Sequence, residues 1–199
     1  MKEDEIRWDE RYQEKKFPET VNELVKTYSN LATTGGKALD VAAGNGRNSL
    51  FLVEQGFQVD AVDISKVAVD LIQSRSQAIN GIHQDLDEYK PKPGLYDLII
   101  NINFLNRRLF PHYKRALRKN GILIFNTFLD SHFLDSSSLD APHPHSNRDH
   151  YLQTNELLHS FISLQVLHYS EVDVVWANGQ KRKAARLVAR KTCGFDCGG

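Results

Sequence analysis

From Lys37 onward, short apolar runs alternate with segments of helical spacing. A mostly parallel sheet with helices on both faces is the arrangement that buries both kinds of segment. The spacing predicts strands over 38–43, 57–64, 78–85, 96–103 and 122–125. Residues 96–103 are almost wholly apolar, so that strand is expected to be central and buried on both sides. Helices are expected from Asn48 to a stop at Gly56, from a cap at Ser65 to about residue 76, and over 108–119, closed by Asn120-Gly121. The pattern then breaks. Residues 129–153 are rich in Ser, His, Pro and Asp and lack periodicity, and loops of that length are often functional. A helix over 156–162 and a strand over 165–169, extending towards Trp176, follow. Asn178-Gly179 is a two-residue hairpin signal, so the last strand, 182–189, should run antiparallel to its predecessor. The expectation is one α/β domain: a doubly wound, mostly parallel seven-stranded sheet with an antiparallel C-terminal hairpin.

The chemistry concentrates where the first strand turns into its helix, at Leu39-Asp40-Val41-Ala42-Ala43-Gly44-Asn45-Gly46. Two glycines there let the backbone approach a ligand closely. Asp40 narrows the choice of ligand. A loop that cradles phosphate has no use for a carboxylate, whereas a ligand carrying an ammonium group and a sulfonium does. The dinucleotide fingerprint also expects a third glycine, where Ser49 stands. Asp63, at the end of the second strand, is placed to accept two ribose hydroxyls. Asp60, in mid-strand, reads as structural or exposed. At the third strand's end, His83-Gln84-Asp85-Leu86 offers a carboxylate for an adenine amino group and an apolar side chain for the ring. Acidic groups thus end three successive strands, where open α/β sheets bind ligands.

Asp40-x-x-x-Gly44-x-Gly46, Asp63 and Asp85 resemble the successive cofactor motifs of class I methyltransferases, which use S-adenosylmethionine (SAM). More narrowly, the chain resembles the small tellurite-resistance type of methyltransferase. That likeness rests on Ala38-Leu39-Asp40, Gly46-Arg47-Asn48-Ser49-Leu50-Phe51-Leu52, Val59-Asp60-Ala61-Val62-Asp63-Ile64-Ser65, Trp8-Asp9-Glu10-Arg11-Tyr12, and Tyr96-Asp97-Leu98-Ile99-Ile100 with Leu109-Phe110-Pro111. It spans Trp8 to Lys191. The resemblance implies a Rossmann-like class I methyltransferase fold and a division into 1–36 capping the cofactor, 37–128 binding it, an active-site loop at 129–153, a helix and hairpin at 154–191, and a tail at 192–199. It implies that Asp40, Gly44 and Gly46 hold the methionine end of SAM, Asp63 the ribose, and Asp85 with Leu86 the adenine. Arg11 is expected at the methionine carboxylate and Asn101 where the fourth strand meets the cofactor. Trp8, Asn45, Asn48 and Ile64 complete the expected cofactor set. Ala43 departs from many members, which carry Cys or another small residue there.

Nothing marks a general base, and a sulfonium donor needs one only if the acceptor must lose a proton. Candidate acceptor-site residues are Asn103, Phe128 and the loop histidines His132, His143, His145 and His150. His143-Pro144-His145 with Cys193 and Cys197 lacks established zinc-ligand spacing, so no metal is expected. His83, His112, His159 and His168 read as packed or solvent-facing. With 25 basic and 25 acidic residues the chain has no net charge, unlike a general nucleic-acid binder. The local run Lys181-Arg182-Lys183, with Arg186, Arg190 and Lys191, reads as a solvated edge strand. DNA amino-methyltransferases carry a Pro-Pro-aromatic motif after the fourth strand, which Asn101-Ile102-Asn103-Phe104 does not match. A small-molecule acceptor is expected, with no nucleic-acid or membrane partner, in a cytoplasmic monomer or weak dimer. Two other classes stay open: an NAD-dependent oxidoreductase using Gly44, Gly46 and Asp63, and a non-catalytic SAM-binding module.

Overall fold

A computed structural model of the chain describes residues 2–14, 17–130, 151–175 and 181–192. Helix α1 (Lys2–Glu14) and the short α2 (Glu23–Tyr28) precede a sheet whose strands are β1 (Lys37–Val41), β2 (Gln58–Asp63), β3 (Ile79–His83), β4 (Tyr96–Ile102), β5 (Leu117–Phe128), β6 (Gln165–Val175) and β7 (Lys181–Arg190). Helices α3 (Arg47–Glu54), α4 (Lys66–Arg75), α5 (Phe110–Ala116) and α6 (Glu156–Ser160) lie between them. The strand order is β3-β2-β1-β4-β5-β7-β6. Strands β1 to β5 pair in parallel, and β7 is antiparallel to both β5 and β6. The order reverses between β1 and β4, which opens a crevice at their carboxyl ends.

Strand period places the core on both faces. Ala38, Leu98, Ile100, Ile122 and Ile124 pack with Leu24, Val25 and Leu52 under α2 and α3. Leu39, Val41, Ile99, Leu123 and Phe125 pack with Phe110, Tyr113, Leu157 and Phe161 under α5 and α6. Every residue of β4 is buried, as its apolar sequence predicts. A fully buried side chain of this kind contributes roughly 1.5–3 kcal/mol, so the central strands dominate stability. Ser65 caps α4 as expected, its side chain accepting from the Ala68 N–H at 3.1 Å.

Two expectations are corrected. The helix predicted to run to Lys119 ends at Ala116, and β5 begins at Leu117, opposite Tyr96. Asn120 (φ 65°) with Gly121 therefore shapes an irregularity within β5 and not a helix end. A Cβ on Gly121 would stand 2.9 Å from the Arg118 carbonyl and 3.0 Å from that of Tyr96, so the two backbones approach closely there. The basic final strand is not an edge, because β7 lies between β5 and β6. Its Ala184, Ala185, Leu187, Val188 and Ala189 are buried, and that apolar content draws β7 inward while β6 takes the edge. Of the two readings of Asp60, structural or exposed, the structural one holds: it is buried, accepts from the Tyr96 hydroxyl (2.8 Å) and from Asn80 (3.0 Å), and pairs with Lys37 (3.0 Å).

Candidate functional site

The turn after β1 is built from backbone that side chains tolerate poorly. Ala42 (φ 54°), Gly44 (60°) and Gly46 (76°) are all left-handed. The Gly46 N–H donates to the Ala43 carbonyl at 3.0 Å, and the Gly46 carbonyl accepts from Leu50 at 2.8 Å to open α3. A Cβ on Gly44 would come within 2.6 Å of the Tyr12 hydroxyl, and one on Gly46 within 2.7 Å of Ile72 Cγ1. Conformation and space therefore both demand glycine at these two positions. The turn lies at the mouth of the β1/β4 crevice.

Two carboxylates stand beneath it. Asp40 is 1% exposed, and its Oδ2 accepts from Ser49 Oγ at 2.6 Å. Burial pushes its carboxyl up to about 7, and the Ser49 hydrogen bond only partly offsets this. Among the described residues no cation lies within ion-pair distance of Asp40. Ser49, the residue that replaces the dinucleotide glycine, is thus the partner that holds Asp40 in the site. Asp63 accepts from the Gly44 N–H through Oδ2 and from the Ser65 N–H through Oδ1, each at 2.9 Å. It ties the glycine loop to the end of β2. Burial raises its carboxyl, against the lowering effect of those backbone donors. A carboxylate offers about four lone-pair sites, so two donors leave room for two more.

Helix α1 lies across the loop. Asp9 Oδ1 accepts from Ser65 Oγ (2.6 Å) and from the Val67 N–H (3.2 Å), which docks α1 on the first turn of α4. Trp8 stacks on Tyr12 with centroids 6.0 Å apart, and the Arg11 guanidinium lies 4.5 Å over the Trp8 ring. Arg11 Nε is buried without a hydrogen-bond partner. Burial, then the charge of Asp63, raises the Tyr12 hydroxyl far above its ordinary range. Tyr12 and Asp9 were not singled out from the sequence, because their roles depend on where α1 docks.

The other expected cofactor residues divide into two groups. Ile64, Asp85 and Leu86 lie at the ends of β2 and β3, on the same side of the sheet as the loop. Leu86 is buried, and the Ile64 carbonyl meets His83 Nε2 at 3.0 Å. Asn45 and Asn48 fasten the preceding segment: Asn45 donates to the Pro18 carbonyl (3.1 Å), and Asn48 Oδ1 accepts from the Asn22 N–H (3.0 Å). Asn101 is fully buried, donating to the Phe104 carbonyl (2.7 Å) and accepting from the Tyr113 hydroxyl (2.9 Å). Its side chain holds the turn after β4. Asn103 (φ 59°) follows, accepting from the Asn126 side chain at 3.1 Å. The candidates His132, His143, His145 and His150, and also Cys193, Cys197 and the Asn178-Gly179 turn, lie outside the described residues.

Known proteins share this fold. Residues 38–121 match the family model described as a methyltransferase domain. The chain has the fold of class I methyltransferases. Over 121 residues it is 31% identical to YqeM of Bacillus subtilis (strain 168), a protein named as a methyltransferase. That match takes in 50% of this chain and 49% of YqeM, so the chain spans about half the length of this curated relative. Solved structures share the fold, two of them as follows. TehB from Haemophilus influenzae superposes with a TM-score of 0.72 at 20% identity, over 93% of this chain and 67% of TehB. A SAM-dependent methyltransferase from Methanosarcina mazei superposes with a TM-score of 0.65 at 15% identity, over 84% of this chain and 98% of that one. Among the described residues no helix is long and apolar enough to cross a membrane.

Proposed function

We propose that the chain is a SAM-dependent methyltransferase acting on a small-molecule acceptor. The observation that carries this reading is the left-handed glycine turn stacked over two buried carboxylates, one of them, Asp40, held without a cation. A carboxylate buried in this way is costly unless a positive charge joins it. The ammonium group of SAM fits that requirement, while a pyrophosphate would be repelled. Arg11, with its buried unpartnered Nε, supplies the complementary cation for the carboxylate at the same end of the ligand. Asp63 has the remaining acceptor capacity for ribose hydroxyls, and Asp85 with Leu86 the position for adenine.

When bound, SAM supplies a methyl group already activated by the sulfonium charge. The work left to the protein is to hold the acceptor in line with that methyl and to keep water out. Asp40 and the glycine turn position the donor, and α1, latched by Asp9 to Ser65, covers it.

Titration with SAM and with NADH tests the reading: SAM should bind, and NADH should not. Tight NADH binding without SAM binding refutes it. Asp63→Ala should weaken SAM binding by roughly 1.5–3 kcal/mol, the range for hydrogen bonds to a charged group. Unchanged affinity would make Asp63 a purely structural tie between Gly44 and Ser65.

A further inference from the structure

A cavity of about 400 Å³ opens beyond the carboxyl ends of β4 and β5. Asn103, Asn126, Phe128, Val174, Ala184 and Arg186 line it. Asn126 stands directly opposite Arg186 across the β5/β7 ladder, and Phe128 opposite Ala184, so the lining is set by register. Asn22 also reaches the cavity, and its N–H is held by Asn48 in the first turn of α3. The glycine loop and the cavity therefore share a wall. Strands lie about 4.8 Å apart, so the end of β5 is roughly 10 Å from the turn after β1, with β4 between them.

The cavity lining carries one cation, Arg186, and one carboxylate, Asp173. Arg186 Nε is buried and has no hydrogen-bond partner among the described residues. The residue as a whole is half-buried, so the charge is not stranded, but its inward Nε–H has no acceptor and is left with a hydrogen bond to give. Asp173 is largely exposed and pairs with Lys183 at 3.7 Å, not with Arg186. Asn126 donates to Asn103. The other walls, Phe128, Val174 and Ala184, are apolar. A planar guanidinium matches a carboxylate through two parallel hydrogen bonds. A bare inorganic oxyanion would leave the apolar walls unused.

We propose that this cavity is the acceptor site and that it takes a small organic carboxylate with an aromatic or apolar body, its carboxylate held by Arg186. This rests on the methyltransferase reading. Benzoate is the probe, benzamide its neutral isostere and selenite the inorganic comparison, each titrated calorimetrically into the full chain with and without saturating S-adenosylhomocysteine. Benzoate should bind, benzamide at least about tenfold more weakly, as expected for loss of hydrogen bonds to a charged group. Arg186→Met should weaken benzoate about tenfold or more while leaving S-adenosylhomocysteine affinity within about twofold. Should that variant fail to fold, Ser170→Glu, directly opposite Arg186 across the β6/β7 ladder, places a competing carboxylate beside it and should weaken benzoate similarly. Equal binding of benzoate and benzamide, unchanged benzoate affinity in the variant that folds, absence of benzoate binding, or tighter binding of selenite each overturns the proposal. If S-adenosylhomocysteine does not bind the wild-type chain, the methyltransferase reading fails, and the titration without it still judges the anion site.

Discussion

Asp40→Asn separates the cost of a buried carboxylate from its use. In the folded chain the Asp40 carboxyl keeps its proton to about pH 7, whereas its ordinary value is 3.8. Between those values the folded state binds more protons than the unfolded state, so stability falls as pH rises. The loss is complete above about pH 7. Moving a carboxyl from 3.8 to about 7 is worth ~4 kcal/mol at 1.36 kcal/mol per pH unit. Asparagine is nearly isosteric, never ionises, and can still accept from Ser49. The SAM-free variant should therefore match the wild type in urea unfolding near pH 4 and exceed it by up to ~4 kcal/mol near pH 8. Other titrating groups are common to both proteins and largely cancel in the difference. The same substitution should weaken SAM binding by roughly 1.5–3 kcal/mol, since the ammonium loses its charged partner. A stability difference that does not change with pH, or a wild type that gains on the variant as pH rises, would refute the argument that Asp40 is held charged at a cost.

Gly46→Ala meets both a left-handed φ and Ile72 Cγ1 at 2.7 Å, and should lower unfolding free energy by about 1–3 kcal/mol in urea. Asp9→Ala removes the acceptor for Ser65 Oγ and the Val67 N–H; trypsin should then cut faster after Arg7 and Arg11, and SAM affinity should fall, while the urea midpoint of the sheet stays nearly constant. An unchanged cleavage rate would mean that aromatic contacts of Trp8, Tyr12 and Phe17 hold α1 without the latch.

The glycine turn and the carboxylates beneath it were legible in the sequence because their signals are local. Asp40, Gly44, Gly46 and Ser49 lie within ten residues, and the left-handed turn favours glycine at 44 and 46. Asp63 is legible because strand length places it at a carboxyl end. Less local partners were not legible: Asn48 and Asn45 hold residues 18–22, and Asn101 bonds Phe104 and Tyr113. An amide side chain has several possible partners, and spacing does not say which one it meets.

The alternation of strand and helix, with the Asn-Gly signal near its end, determined an α/β sheet with an antiparallel finish and its loop of glycines over carboxylates. Periodicity and turn chemistry act over a few residues, and such properties are written in order along the chain. Only the tertiary structure decided that β7 enters the sheet interior, since pairing with β5 depends on apolar residues some sixty positions away. It alone brought Arg186 opposite Asn126 and laid Tyr12 against Gly44. The glycine turn is readable from its own residues; the surfaces that meet it are set by long-range packing, which no local pattern encodes.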